Sequence, residues 1–277
     1  MSSQVVETST ITLENSDKKA IVVAINRPNH LNCFNTEVAY TLARVFSQIA
    51  DSNEDELAAV IFTGRGKSFC AGADLSNPPD PLEQSSDLPE CLANNPVYQM
   101  SRIKVPLIGA IHGHVITGGF ELALACDILV GDATTKFRDT HVKFGLAPCW
   151  GLSQKLQQRV GPGRAKLISY SARPIGAKLA YEWGLIDEIV SAEAGDESSL
   201  DRAITIADDI GGQDLKMVTR YKKALTEGGE MELGRGLQRE RQLGIAHYLE
   251  AIGDGATFLN AKNFISDEER PRMQSKL

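Results

Sequence analysis

Two glycine-rich stretches are built to do chemistry: GRGKSFCAGADL at 64–75 and GAIHGHVITGGFE at 109–121. Each follows a short apolar, β-branched run, Leu57 to Phe62 in one case and Val105 to Ile111 in the other. Such a run reads as a buried strand, and the glycines let the backbone turn sharply into a helix. Two loops of this kind, side by side, can aim two backbone N–H groups at one point. That arrangement stabilises a carbonyl oxygen that gains negative charge during reaction.

Other readings of the same residues are weaker. Gly66-Lys67-Ser68 resembles the end of a phosphate-binding loop, but that motif needs a glycine at position 61, which is Ile61. Gly64-x-Gly66 would need a third glycine where Phe69 stands to match a dinucleotide fingerprint. His112 and His114 alternate on one face of an extended segment, yet no further ligand lies at metal-site spacing, so both read as structural or pocket-lining. Cys70 has no base partner nearby in sequence and reads as a small buried residue rather than a nucleophile.

The elements that position these loops are legible in the apolar pattern. Residues 18–27 read as a strand stopped by Pro28. Val38, Leu42, Val45, Phe46 and Ile49 share one face of a helix over 35–50. Residues 76–96 carry five prolines and read as a long irregular segment, a lid over a ligand. A strand at 105–111 leads into the second loop and a short helix through Glu121 to Ala125. Strands follow at 127–131 and 135–138.

The second half is mostly helical. Helices are expected at 151–160, 164–170 and 175–183, then a brief strand at 185–190 and a polar, acidic connection at 191–199. Helices near 200–210, 214–226 and 231–252 follow. Val218, Tyr221 and Leu225 form one apolar stripe, and Leu233, Leu237, Ile245, Tyr248 and Ile252 another. With little sheet left to cover, such faces suit another subunit. The pattern is an α/β core with a helical end.

The 277 residues allow one large domain with an appendage, and ample core. A net charge of −7 argues against a general nucleic-acid binder. No apolar run is long enough for a membrane span, and MSSQVVETST lacks the basic and apolar regions of a secretory signal. Five cysteines, an odd number without a Cys-x-x-Cys pair, point to reduced thiols rather than a disulfide framework or zinc site. The chain ends Ser275-Lys276-Leu277, a receptor-read peroxisomal address, so a peroxisomal import receptor is an expected partner and the peroxisome the expected location.

FCAGADL at 69–75 and GHVITGGFELALACDI at 113–128 resemble the paired signature segments of the crotonase superfamily, which includes enoyl-CoA hydratases and isomerases. The resemblance continues through INRPNHLN at 25–32, KFRDTHVKFGLAPCWGLSQKL at 136–156, GPGRAKLI at 161–168 and AYEWGLIDEIV at 180–190, and covers most of residues 18–260. It implies a crotonase-like spiral of ββα units over 1–195 and a helical oligomerisation region over 196–277. It also implies acyl-CoA thioester substrates, a homotrimer or homohexamer, and no metal or redox cofactor, CoA being part of the substrate.

The resemblance places the two oxyanion N–H donors at Ala71 and Gly118 and lays the bound CoA along Ala71, Gly72, Ala73, Asp74 and Leu75. Losing one such donor typically costs about 3–4 kcal/mol of transition-state stabilisation. Leu31 and Asn32 match the first CoA-contacting segment more loosely. Family hydratases hold one water between two glutamates. The first carries over to Glu121, on the same helical face as Gly118, where a partly desolvated carboxylate can deprotonate water. The bland alternative is an acidic residue favoured by the helix dipole. At the second position stands His141, which can act as acid or base near neutral pH or simply line the pocket. If 139 to 141 is extended, Asp139 lies on the same side and orients the ring. Trp150 falls where many members have a small residue, and either narrows the acyl pocket or belongs to the core.

The expected activity is hydration of the 2,3 double bond of an enoyl-CoA, in breakdown of fatty acids or related acyl groups. Double-bond isomerisation or carbon–carbon cleavage on the same scaffold is the nearest alternative, and non-catalytic acyl-CoA binding is another.

Overall fold

The structure, a computed structural model, describes residues 4–52, 54–80, 88–190 and 198–254. Residues 81–87 of the expected lid, 191–197 of the acidic connection and the terminal Ser275-Lys276-Leu277 lie outside the described residues.

The chain opens with β1 (Val6–Thr12), paired antiparallel with β2 (Lys19–Ile25). β1 is an edge strand whose Thr8, Ser9 and Thr10 face solvent, so it lacks the apolar pattern that marks the inner strands. The main sheet runs β1-β2-β3-β4-β6-β9, with β3 (Leu57–Gly64), β4 (Leu107–Ile111), β6 (Ile128–Asp132) and β9 (Glu188–Val190). Every pairing from β2 to β9 is parallel. A second sheet, β5-β7-β8, holds β5 (His114–Ile116), β7 (Lys136–Arg138) and β8 (Ile175–Gly176).

All of β3 is buried, because both faces of a parallel sheet are covered. Val60 and Phe62 join a core with Val38, Leu42 and Phe46 of α1 (Thr36–Asp51). Ala59 and Ile61 face the other way, with Ala203 and Ala207. The helix α1 starts where Asn35 accepts a hydrogen bond from Val38 N–H. The proline-rich segment then carries one short helix, α2 (Pro89–Asn94), and ends where another, α3 (Pro96–Ser101), begins, so its described part is not wholly irregular.

The remaining helices are α4 (Gly118–Leu124), α5 (His141–Phe144), α6 (Leu152–Val160), α7 (Pro162–Ser171), α8 (Ala177–Glu182), α9 (Ser199–Gly211), α10 (Leu215–Gly229) and α11 (Leu233–Asp254). The expected helix at 175–183 opens instead with the two residues of β8. One compact unit runs Met1–Thr219 and a second Arg220–Leu277, so the core extends past the expected boundary at 195. The reason is α9, which packs on β3, β4 and β6. Its Asp208 is bound by Asn15 and Ser16 from the turn between β1 and β2. Within the second unit, Leu233, Leu237, Ile245 and Tyr248 are exposed on the chain alone.

The first glycine loop is fastened to the second. Cys70 bridges Val115 of β5, and its carbonyl accepts Ile116 N–H at 3.0 Å. One turn on, Gly119 lies so close that an added Cβ would sit 2.3 Å from the Cys70 oxygen. Only a residue without a side chain fits between α4 and the loop. Gly119→Ala is expected to lower stability by about 1–3 kcal/mol through overpacking, read as a reduced midpoint in urea unfolding.

Candidate active site

Glu121 lies in the first turn of α4, on the side facing the core, and is only 3% exposed. Its Oε1 accepts backbone N–H groups from Trp150 at 2.9 Å and Leu152 at 3.3 Å. Its Oε2 faces His141 Nε2 at 3.8 Å. Burial raises the Glu121 pKa, against the opposing pull of His141 and the two backbone donors. The carboxylate is therefore fixed through one oxygen and left basic at the other.

His141 is buried at the start of α5, with Thr140 as its N-cap. Residues 139 to 141 are not extended, so the alternation expected from strand geometry does not operate. A local turn performs the same orientation. Asp139 Oδ1 accepts both His141 N–H at 3.1 Å and ring Nδ1 at 2.8 Å. Burial pushes the Asp139 carboxyl up, but hydrogen bonds from His141 and from Ser169 outweigh it and hold the group below its ordinary range. An ionised carboxylate only accepts, so Nδ1 must carry the proton that it shares. Nε2 is then left pointing at Glu121. Three buried side chains form one line, Asp139–His141···Glu121.

The second glycine loop leads directly into the helix that carries Glu121. Gly118 is the first residue of α4, where a helix N–H has no acceptor within the helix. The Phe34 ring presses on Gly118, since an added Cβ there would meet Cζ at 2.5 Å. The backbone of Phe34 also pairs with the first loop, donating to Gly72 O and accepting Asp74 N–H, in a parallel bridge to Ala73. A cavity of about 500 Å³ is lined by Ala71, Gly72, Ala73, Asp74 and Leu75, and reaches Thr117 and Thr140 beside Gly118 and His141.

The enoyl-CoA hydratase/isomerase family matches this chain over residues 15–250. The chain is 38% identical over 274 residues to "Probable enoyl-CoA hydratase 1, peroxisomal" of Arabidopsis thaliana, covering 99% of each. It is 31% identical to the short-chain-enoyl-CoA hydratase of Clostridium acetobutylicum, over 85% of this chain and 88% of that one. Among solved structures, the enoyl-CoA hydratase of Bacillus anthracis superposes with a TM-score of 0.73 at 28% identity, over 90% of this chain and 96% of its own. The chain belongs to the enoyl-CoA hydratase/isomerase family. Its fold is the α/β crotonase fold with C-terminal helices, as the signature segments implied.

Within that family frame, one expected donor is displaced. The Ala71 N–H points at Leu31 O at 3.0 Å and is already used. Two residues on, the bridge to Phe34 engages Gly72 O and Asp74 N–H and leaves the Ala73 N–H turned to the opposite side. The loop therefore offers Ala73, not Ala71, as its open donor. The spacing of the motif alone does not distinguish the two, because both alanines flank the same glycine. Asn32 is also reassigned, from CoA contact to a buried staple that donates to Arg65 O and Ser68 O. Asp74 is held below the ordinary carboxylate range by Ser76 and by Arg27, its ion-pair partner at 3.0 Å.

Trp150 belongs to the core, the second of the two sequence expectations for it. It is buried and stacks on Phe34 with ring centroids 5.0 Å apart, while its backbone holds Glu121. His112 Nε2 lies 3.1 Å from Gly66 O and helps close the first loop. Burial pushes the Cys70 thiol up to about 12, which leaves it unreactive.

Because its folded pKa is raised, Glu121 binds a proton more tightly in the fold than in the unfolded chain. At pH values above both pKa values the ionised form costs folding free energy. Below the unfolded value that cost is absent. Glu121→Gln keeps an acceptor for Trp150 and Leu152 and removes the charge. Its melting temperature at pH 7 is expected to rise above that of the parent, with the difference shrinking as pH falls through the raised Glu121 value. Thermal melts across pH check both the sign and the window.

Proposed function

We propose that this protein hydrates the 2,3 double bond of enoyl-CoA thioesters. The observation that carries this reading is the 3.8 Å separation of Glu121 Oε2 and His141 Nε2, each held from its far side. A water can lie within hydrogen-bond reach of both atoms. Beside them, the Gly118 and Ala73 N–H groups receive the thioester oxygen.

In this reading Glu121 removes a proton as the water oxygen bonds to C3. The π electrons move onto the thioester oxygen, where the two N–H groups stabilise the enolate. When the enolate collapses, C2 takes a proton from the Glu121–His141 pair, which ends with the proton count it began with. The product is a 3-hydroxyacyl-CoA. Asp139 keeps the His141 ring turned toward the water. The names of the Arabidopsis and Clostridium relatives support this assignment.

Purified protein mixed with crotonyl-CoA or a longer enoyl-CoA is expected to bleach the conjugated absorbance and yield the 3-hydroxyacyl-CoA. Glu121→Gln and His141→Asn should each lower kcat by about 10²–10⁴-fold, the usual contribution of a positioned acid or base. A shifted double bond or a released aldehyde as sole product, from the folded enzyme, would replace hydration by isomerisation or carbon–carbon cleavage.

We also infer import into peroxisomes through Ser275-Lys276-Leu277, supported by the word "peroxisomal" in the Arabidopsis relative's name. A fluorescent fusion ending in these three residues is expected in peroxisomes, and one lacking them in the cytosol. The exposed apolar faces of α10 and α11, with Tyr221 and Leu225 on one and Leu233 and Leu237 on the other, support assembly as a homotrimer or homohexamer.

A further inference from the structure

The substrate cavity holds a cation that the proposed hydration does not use. Arg138, at the end of β7, contributes to the cavity wall. Its Nε donates to Ala172 O at 2.7 Å, which fixes one edge of the guanidinium. Among the described residues no carboxylate pairs with it, and its two terminal amino groups meet no protein acceptor. The other acidic groups nearby are committed: Asp74 to Arg27, and Asp139 to His141. A half-buried guanidinium with its carboxylate-matching fork open is suited to a planar anion.

Two hydroxyls lie in the same wall. Thr117 Oγ1 and Thr140 Oγ1 are hydrogen-bonded to each other, and Thr117 Oγ1 also accepts Thr140 N–H at 3.1 Å. One hydroxyl hydrogen makes the bond between them, so the second is left to donate. Thr117 adopts φ 51° and ψ −111°, a backbone region costly for a β-branched residue. A glycine would relieve that strain but would remove the hydroxyl.

We propose that Arg138, with the spare Thr117–Thr140 hydroxyl, is an anion subsite for a carboxylate on the acyl chain, so that the preferred substrates are ω-carboxylated enoyl-CoAs. The location favours the acyl group over a CoA phosphate. Thr117 N–H donates to Arg138 O at 2.9 Å, which puts Arg138 one backbone hydrogen bond from the loop that carries Gly118. The CoA phosphates are at the far end of the pantetheine arm from the thioester. The cavity wall that Arg138 shares also carries the apolar side chains of Ile116, Phe144 and Leu146, against which an acyl chain can lie.

The position of the thioester in this proposal rests on the hydratase reading, so the test includes binding, which does not depend on turnover. Calorimetry would compare glutaryl-CoA with pentanoyl-CoA, unreactive chains of equal carbon count with and without the carboxylate. The wild-type protein is expected to bind glutaryl-CoA at least tenfold more tightly, and Arg138→Gln to collapse that ratio toward one. Turnover of glutaconyl-CoA against 2-pentenoyl-CoA should follow the same ratio. Equal binding of both esters by the wild type overturns the proposal. So does an Arg138→Gln protein that weakens both esters alike, the result for a phosphate contact, or one that keeps the preference intact. If Arg138→Gln fails to fold, the wild-type ratio and its change in Arg138→Lys decide instead. Failure of hydration with the binding preference intact would overturn the reaction and leave the subsite.

Discussion

A buried carboxylate is the constraint on which the site depends. Glu121 is taken out of water at a cost that would, unopposed, leave it neutral or unfold the segment around it. The fold offsets that cost with two backbone N–H groups from the turn at Trp150 and with the ring of His141. The turn is placed by α6, which begins at Leu152, and by the stack of Trp150 on Phe34. Phe34 in turn pairs with Ala73 and presses on Gly118. One aromatic side chain thus ties the turn that holds Glu121, the start of α4 and the first glycine loop into a single packed unit.

The same packing explains where glycine is required. The two loops converge because Cys70 pairs with β5 and because α4 rests against the Cys70 carbonyl at Gly119. A backbone donor pair is useful only if its spacing is rigid, since an oxyanion hole that must reorganise loses its advantage over water. Rigidity comes here from strand pairing, close approach and the Asn32 staple rather than from any covalent link.

The large elements were legible because they are periodic. The helix at 36–51, the strands β2, β3, β4 and β6 and the pairing of the two glycine loops follow from apolar spacing and turn chemistry alone. Glu121 and His141 were legible through motif resemblance, and the structure brings both to one point. What escaped was set by hydrogen-bond direction, which residue types do not encode. Whether the open N–H belongs to Ala71 or Ala73 depends on which carbonyl approaches from Leu31 and Phe34. The Asp139 contact to His141 was anticipated, but through strand alternation, whereas a turn makes it. Edge strand β1 was missed because solvent-facing threonine and serine carry no apolar signal. The core boundary moved from 195 to 219 because the main partners of α9 are strands far earlier in the chain, β3, β4 and β6.

A histidine facing Glu121, where the family resemblance implies a second glutamate, has an electrostatic logic of its own. Two like unit charges about 4 Å apart repel by roughly 4 kcal/mol at the effective dielectric of a protein site. A pair of buried carboxylates around one water must therefore share a proton, and only one of them is basic at a time. An imidazole at 3.8 Å from Glu121 carries no such penalty. It lowers the Glu121 pKa where a carboxylate would raise it, and it stands between Glu121 and Asp139, the second negative charge. The site thus keeps two acidic groups but places a proton-carrying ring between them. In the proposed hydration, proton return at C2 then depends on the orientation of one histidine, and that orientation is fixed by Asp139.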